Sequence, residues 1–338
     1  MTFYRPAWLL ALAALASPAS AVPAGAEAAK DVRAAKAAPG PQTPAPQTPA
    51  PQTPGPQTPG PQAEPRPALW LLADEDTRIY MFGTIHVLPP GFRWRSAALD
   101  KAVVESSELV VETYDAPGAE ASAEASAEIG AGFFADKAVP ILQRVPKKKR
   151  KPLKAAIEAS GVPMPVLDRM HSWAAAMTLG IAQMLDQYGV DDPDDAPGVE
   201  DVLEETFRGA GKPISSVEDG NAVMASMSAL PEAVQIQLLL ESIAPAEGDG
   251  GAPAMGTEEV DWVAGRSEAL DVEVEGEFPP ALFDVLVRKR NAAWTSWLEE
   301  RLKKPGTLLF AVGAGHFAGR ESVQSMLARR GLEVKRID

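Results

Sequence analysis

Two stretches of this chain end in the same way. "YMFGTIHV", Tyr80 to Val87, and "LLFAVGAGHF", Leu308 to Phe317, each run through apolar residues into Gly-x-x-His. The chain has only three histidines, so two of them, His86 and His316, sit in matching contexts. Two glutamates also close short apolar runs, Glu112 in "ELVVET" and Glu218 in "KPISSVE". Two imidazoles with one or two carboxylates suit a divalent transition metal that keeps an open position for water. The same groups also suit a His–Glu pair that activates water directly. The spacing alone does not choose between them. On the metal reading a spare glutamate serves as general base.

Convergence of these residues requires a particular scaffold. "LWLLADEDTRIYMFGTI" predicts two strands around a tight turn at Glu75-Asp76. "SAALDKAVVESS" predicts a helix capped by Ser96, with Leu99 and Val103 on one face. "ELVVET" then predicts a strand ending at Glu112. From about Val139 to Ile243 the pattern is mostly helical. Within it, "PGVEDVLEETFRGAGK" carries Val199, Val202, Leu203 and Phe207 at helical spacing, and "KPISSVE" follows as a strand ending at Glu218. "ALFDVLVRKRNAAWTSWLEERLKK" predicts one long helix, and "GTLLFAVGAGH" a strand ending at His316. "GRESVQSMLARRG" predicts a helix with Val323, Met326 and Leu327 on one side, and "LEVKRI" a last strand. Such alternation implies an α/β fold with a mostly parallel central sheet flanked by helices and carrying a helical insertion. In parallel sheets, ligands bind where the carboxyl ends of the strands meet. His86, Glu112, Glu218 and His316 all fall at or just past such ends. Gly83, Gly313 and Gly315 would let the backbone turn sharply and approach closely.

Other residues divide into supporting and bland. Arg290 shares a helical stripe with Leu286 and Trp294, so it points inward and its charge must be paired. It is either a structural bridge or a clamp for a substrate carboxylate. Arg95 follows His86 closely and could do either job. Trp94, Trp294 and Trp297 read as core. His171, on a helix beside Trp173, lacks the repeated context and reads as a packing or surface residue. "PKKKRK", Pro146 to Lys151, reads as a solvated basic turn before a helix. "DDPDDAPG", Asp191 to Gly198, lacks the ligand spacing of a calcium loop and reads as a solvated acidic loop.

The remainder of the 338-residue chain bears on location. Residues 1–21 carry a positive charge at Arg5, an apolar run from Ala7 to Ala16, and Ala19-Ser20-Ala21, the pattern of a secretory signal cut after Ala21. That run is too short for a membrane span, which needs roughly 20 residues. The other reading is an uncleaved inner-membrane anchor. Residues 22–66 form a linker that contains the repeat "PQTPAPQTPAPQTPGPQTPGPQ", predicted to be an extended spacer at about 3.1 Å per residue. Residues 67–338 form the folded domain. The chain has no cysteine, which excludes disulfides and a lipid anchor on cysteine. The net charge of −14 disfavours nucleic acid as a partner. The expected place is the periplasm, or outside the cell, and the expected partner is a peptide or small-molecule substrate. Nothing in the sequence sets an oligomeric state.

Several of these pieces together resemble the TraB/GumN family, which includes the Tiki-type proteases and the pheromone-shutdown proteins. They are "FGTIHV", "VVET", "GVEDVL…GKPISSVE", "DWVAG", "RNAAW" and "AVGAGHFAG", in family order across nearly the whole domain. The family is similar in fold and site layout to erythromycin-esterase-like and haem-uptake ChaN-like proteins. The resemblance implies a hydrolase. Tiki-type members are metal-dependent proteases, and the esterase-like relatives are thought to activate water with His and Glu. It implies functional roles for His86, Glu112 and His316, with Arg95, Glu218 and Arg290 in support; on its metal-dependent form these first three are the ligands and the ion is Mn, Co or Zn. The alternatives are a non-catalytic protein that sequesters a peptide or small ligand, and a haem or metal carrier. Three departures from the family pattern are Arg266 after Gly265, Phe317 after the second histidine, and an expanded Ala/Glu loop after Glu112.

Overall fold

A computed structural model describes residues 64–114, 132–244, 257–271 and 279–338. The expected signal, the Pro-rich repeat and the Ala/Glu-rich stretch after Glu112 lie outside the described residues, apart from Glu64 to Arg66 at the linker's end.

Among the described residues the sheet has six strands: β1 (Leu69–Ala73), β2 (Thr77–Thr84), β3 (Glu108–Val111), β4 (Ile214–Ser216), β5 (Gly306–Gly313) and β6 (Val334–Arg336). Their order is β4-β3-β5-β2-β1-β6. The pairs β4·β3, β3·β5 and β5·β2 are parallel, while β1 runs antiparallel to β2 and β6. The turn between β1 and β2 falls at Glu75-Asp76, as expected, and is closed by the Asp74 amide donating to the Thr77 carbonyl.

The period-2 alternation of each strand sorts its side chains onto two faces. Tyr80, Phe82, Leu109, Val111, Leu309 and Ala311 face one core. There they meet α1 (Ala97–Glu105) through Leu99 and Val103, and α6 (Val199–Gly209) through Val199, Leu203 and Phe207. Ile79, Met81, Val110, Leu308, Phe310 and Val312 face the other core, under α11 (Lys289–Leu302) and α12 (Val323–Arg329). Ser96 caps α1 through a hydrogen bond from the Leu99 amide, as its position implies.

The helical insertion builds its own core. α2 (Ile141–Arg144), α3 (Arg150–Ser160), α4 (Met164–Leu167) and α5 (Ser172–Tyr188) pack with α7 (Gly220–Ser228) and α8 (Glu232–Ser242) around Trp173, Leu179, Met227 and Leu238. α9 (Thr257–Val263) and α10 (Pro280–Phe283) complete the described helices. His171 sits half-buried at the start of α5, and Lys147 and Lys148 are exposed in a 3-10 turn before α3. Among the described residues no single helix is long and apolar enough to cross a membrane.

Two expectations need correction. The helix expected from Ala281 onward is not uniform, because a wide π turn over Asp284–Arg288 separates α10 from α11 just before Arg290. The strand expected to run to His316 stops at Gly313, and His316 lies in the following 3-10 turn, Ala314–Phe317. That turn swings His316 away from the strand direction and under α11.

Candidate functional site

Register places the site. Thr84 pairs with Gly313 at the ends of β2 and β5, and Val111 pairs with both Ala311 and Ser216. The carboxyl ends of β2, β5, β3 and β4 therefore lie along one edge, and His86, Glu112, Glu218 and His316 emerge there. A Cβ placed on Gly313 would lie 3.1 Å from Glu112 Oε1, 3.5 Å from His316 Cδ2 and 3.6 Å from His86 Nε2. Three groups drawn from a span of 230 residues, His86 to His316, thus surround one bare glycine. Gly313 has no left-handed φ, so close approach, not a special turn, is what its missing side chain provides.

His86 is built from two sides. α6 arrives with Gly198 pressed onto the His86 backbone, where a Cβ would lie 2.3 Å from the His86 carbonyl oxygen. The Val199 amide donates to the Ile85 carbonyl at 2.9 Å. This docking brings the first turn of α6 within reach, and Glu200 Oε1 stands 2.9 Å from His86 Nδ1. Thr84 Oγ1 donates to the same Glu200 oxygen. Nδ1–H donating to a carboxylate leaves Nε2 with its lone pair. That Nε2 is buried and makes no hydrogen bond. Burial alone would lower the His86 pKa, but Glu200, then Glu112 and Asp201, outweigh it and raise it above its ordinary value.

His316 has the same motif and a different environment. Nδ1 lies 2.6 Å from Asn291 Oδ1, and Nε2 lies 3.2 Å from Arg290 Nη1. An arginine can only donate, so Nε2 accepts and Nδ1 carries the proton. The ring packs against Trp294 with centroids 4.4 Å apart. Burial, and then the adjacent guanidinium, lower the His316 pKa to about 3, so the ring is neutral at pH 7.

Arg290 joins the carboxylates. Its Nε donates to both oxygens of Glu218 at 3.0 Å, and Nη2 to Glu218 Oε1 at 2.5 Å. Nη2 also donates to Glu112 Oε2, and Nη1 to the Leu286 carbonyl at 3.2 Å. All five N–H donors of the guanidinium are engaged inside the protein. That answers the either/or left by the sequence in favour of a bridge, since no donor is left for a substrate carboxylate. Burial opposes ionisation of Glu112, but Arg290, then His316 and His86, outweigh it and hold its pKa at about 2. The Gly313 amide, 2.7 Å from Glu112 Oε1, acts the same way. Glu218 goes the other way: burial, together with the Glu112 charge, raises its pKa against the lowering by Arg290 and the Trp294 indole.

Arg95 does not join this cluster. It is exposed, donates to Asp100 Oδ1 at 2.7 Å and lies over the Trp94 ring. Glu200 is the residue that the sequence reading passed over. Its signal was an acidic residue in the first turn of a helix behind Pro-Gly, which reads as ordinary helix chemistry. Two of the departures from the family pattern fall outside the site: Phe317 stacks on Trp70 at 4.9 Å between centroids, and Arg266 pairs with Asp261.

Does this donor set fit a divalent metal? His316 Nε2 and Glu112 Oε2 are held by Arg290, and Glu112 Oε1 by the Gly313 amide. Of the three expected ligands, His86 alone offers a ring or carboxyl atom that makes no hydrogen bond, its Nε2; the neighbouring Glu200 Oε2 is also buried and unpartnered. Among the described residues, no three His, Asp or Glu side chains stand together as a ready metal site. The arrangement does not fit the ion that the sequence suggested.

No curated protein and no solved structure matches the chain. A family model does, over residues 68–336, which is the domain that carries every strand and every site residue described above. The chain belongs to the TraB/PrgY/gumN family.

Proposed function

We propose that this protein is an exported hydrolase of peptide or peptide-like bonds, in which His86 takes the proton from the attacking water. One observation carries the reading: a buried imidazole whose Nδ1 is fixed by Glu200 and whose Nε2 faces the site without a partner. Such a base, oriented by a carboxylate, contributes about 10²- to 10⁴-fold to a hydrolysis. Glu112 and Arg290 supply fixed charges beside it. The metal-dependent form implied by the family resemblance would require Arg290 to release His316 and Glu112 first. Export, and with it a periplasmic setting, rests on the signal-like residues 1–21.

The test is a quenched-fluorescent peptide library with products read by mass spectrometry. Cleavage by the wild type that disappears in His86→Ala, with the fold intact, supports the reading. No turnover from the wild type, together with ligand binding that survives His86→Ala within a few-fold, would instead favour a sequestering protein. A Soret shift on haem titration, abolished by the same variant, would favour a carrier.

A further inference from the structure

We propose that the guanidinium of Arg290 is the resident cation of this site, standing where a divalent ion would otherwise be held. Three observations point there. First, the guanidinium holds two of the three expected ligands, at His316 Nε2 and Glu112 Oε2, and both oxygens of the spare glutamate, Glu218. Second, the surroundings are shaped for a planar fork, not for a point charge. Nε and Nη2 together grip Glu218, and Trp294 Nε1 holds the other side of that carboxylate at 3.1 Å from Oε2. The Arg290 Cζ also lies 4.8 Å from the Trp294 ring centroid. A planar fork of directed N–H donors is an arginine property that neither lysine nor a metal ion reproduces. Third, the fork has no unused donor, and Asn291, the next residue on α11, fixes the histidine that receives one of its bonds.

The inference does not depend on hydrolysis, so its failure and that of the functional reading are separable. It is tested with the full chain, stripped with chelator and then titrated with Co²⁺ and Zn²⁺, with visible absorption and thermal shift as readouts. The wild type is expected to show no Co²⁺ d–d bands and no thermal shift with either ion. Arg290→Met, which removes the charge at similar length, is expected to gain roughly tenfold or more in Co²⁺ affinity. Adding His86→Ala is expected to abolish that gain. Stoichiometric binding by the wild type that is lost in His316→Ala would overturn the proposal, whatever the peptide assay shows. So would a folded Arg290→Met that gains no affinity. If Arg290→Met does not fold, the wild-type titration alone decides.

Discussion

The two Gly-x-x-His loops end neighbouring parallel strands, yet their histidines do opposite things. His86 keeps a bare Nε2 and an acidic neighbour on Nδ1. His316 spends both nitrogens on Asn291 and Arg290. The difference lies in the helix that covers each loop. α6 meets the first loop end-on, so its first turn delivers a carboxylate. α11 meets the second side-on, so it delivers an amide, a guanidinium and an indole. A repeated motif therefore fixes where an imidazole stands, and the covering helix decides whether it is a base or an anchor.

Predictions follow from pulling this asymmetry apart. The largest effect is expected at His86→Ala: turnover falls about 10²- to 10⁴-fold, while the melting temperature changes little, checked by peptide assay and calorimetry. Arg290→Met should mainly damage stability. It strands Glu112 and Glu218 near a buried edge, a cost of about 3–5 kcal/mol, checked by urea unfolding. His316→Ala leaves one Arg290 donor and one Asn291 oxygen unpaired, at a cost of about 1–3 kcal/mol for each stranded group. If His86→Ala destabilised more than His316→Ala, the assignment of base and anchor would be reversed.

Smaller effects come with pH. His316 has a pKa of about 3 when folded against an ordinary 6.5, so the unfolded chain binds more protons below that value. Its contribution to stability is lost as pH falls from about 6.5 towards 3. Glu112, at about 2 against 4.5, adds a loss as pH falls through that lower window. His86 has the opposite sign: its raised pKa contributes stability that is fully present below 6.5 and is lost as pH rises from there through its folded value. Activity should rise with pH as His86 loses its proton. Glu200→Gln removes the main charge raising that pKa, so the acid limb of the pH–rate profile should move to lower pH. An unmoved limb would separate Glu200 from the base.

Much of this layout was legible in the residues. Strand–helix alternation announced a parallel sheet, and the ends of its apolar runs marked His86, Glu112, Glu218 and the neighbourhood of His316. The stripe of Leu286, Arg290 and Trp294 told that a charge points inward. Partnerships were not legible. Arg95 looked close because it is near His86 in sequence, but the chain turns outward at Pro90-Gly91 and pairs it with Asp100. Glu200 looked like ordinary first-turn acid because its target lies 114 residues upstream, and only the docking of Gly198 on the His86 backbone connects them. The saturation of Arg290, which turns apparent metal ligands into its own acceptors, depends on angles and distances that no spacing encodes.

The asymmetry of the two imidazoles is most directly tested by nitrogen-15 NMR across a pH titration. With three histidines in the chain, single variants assign every ring. His316 is predicted to stay neutral with its proton on Nδ1 down to about pH 3, while His86 gains its second proton at a pH above 6.5. Two rings that titrate together, or a His316 that becomes charged near neutrality, would contradict the account.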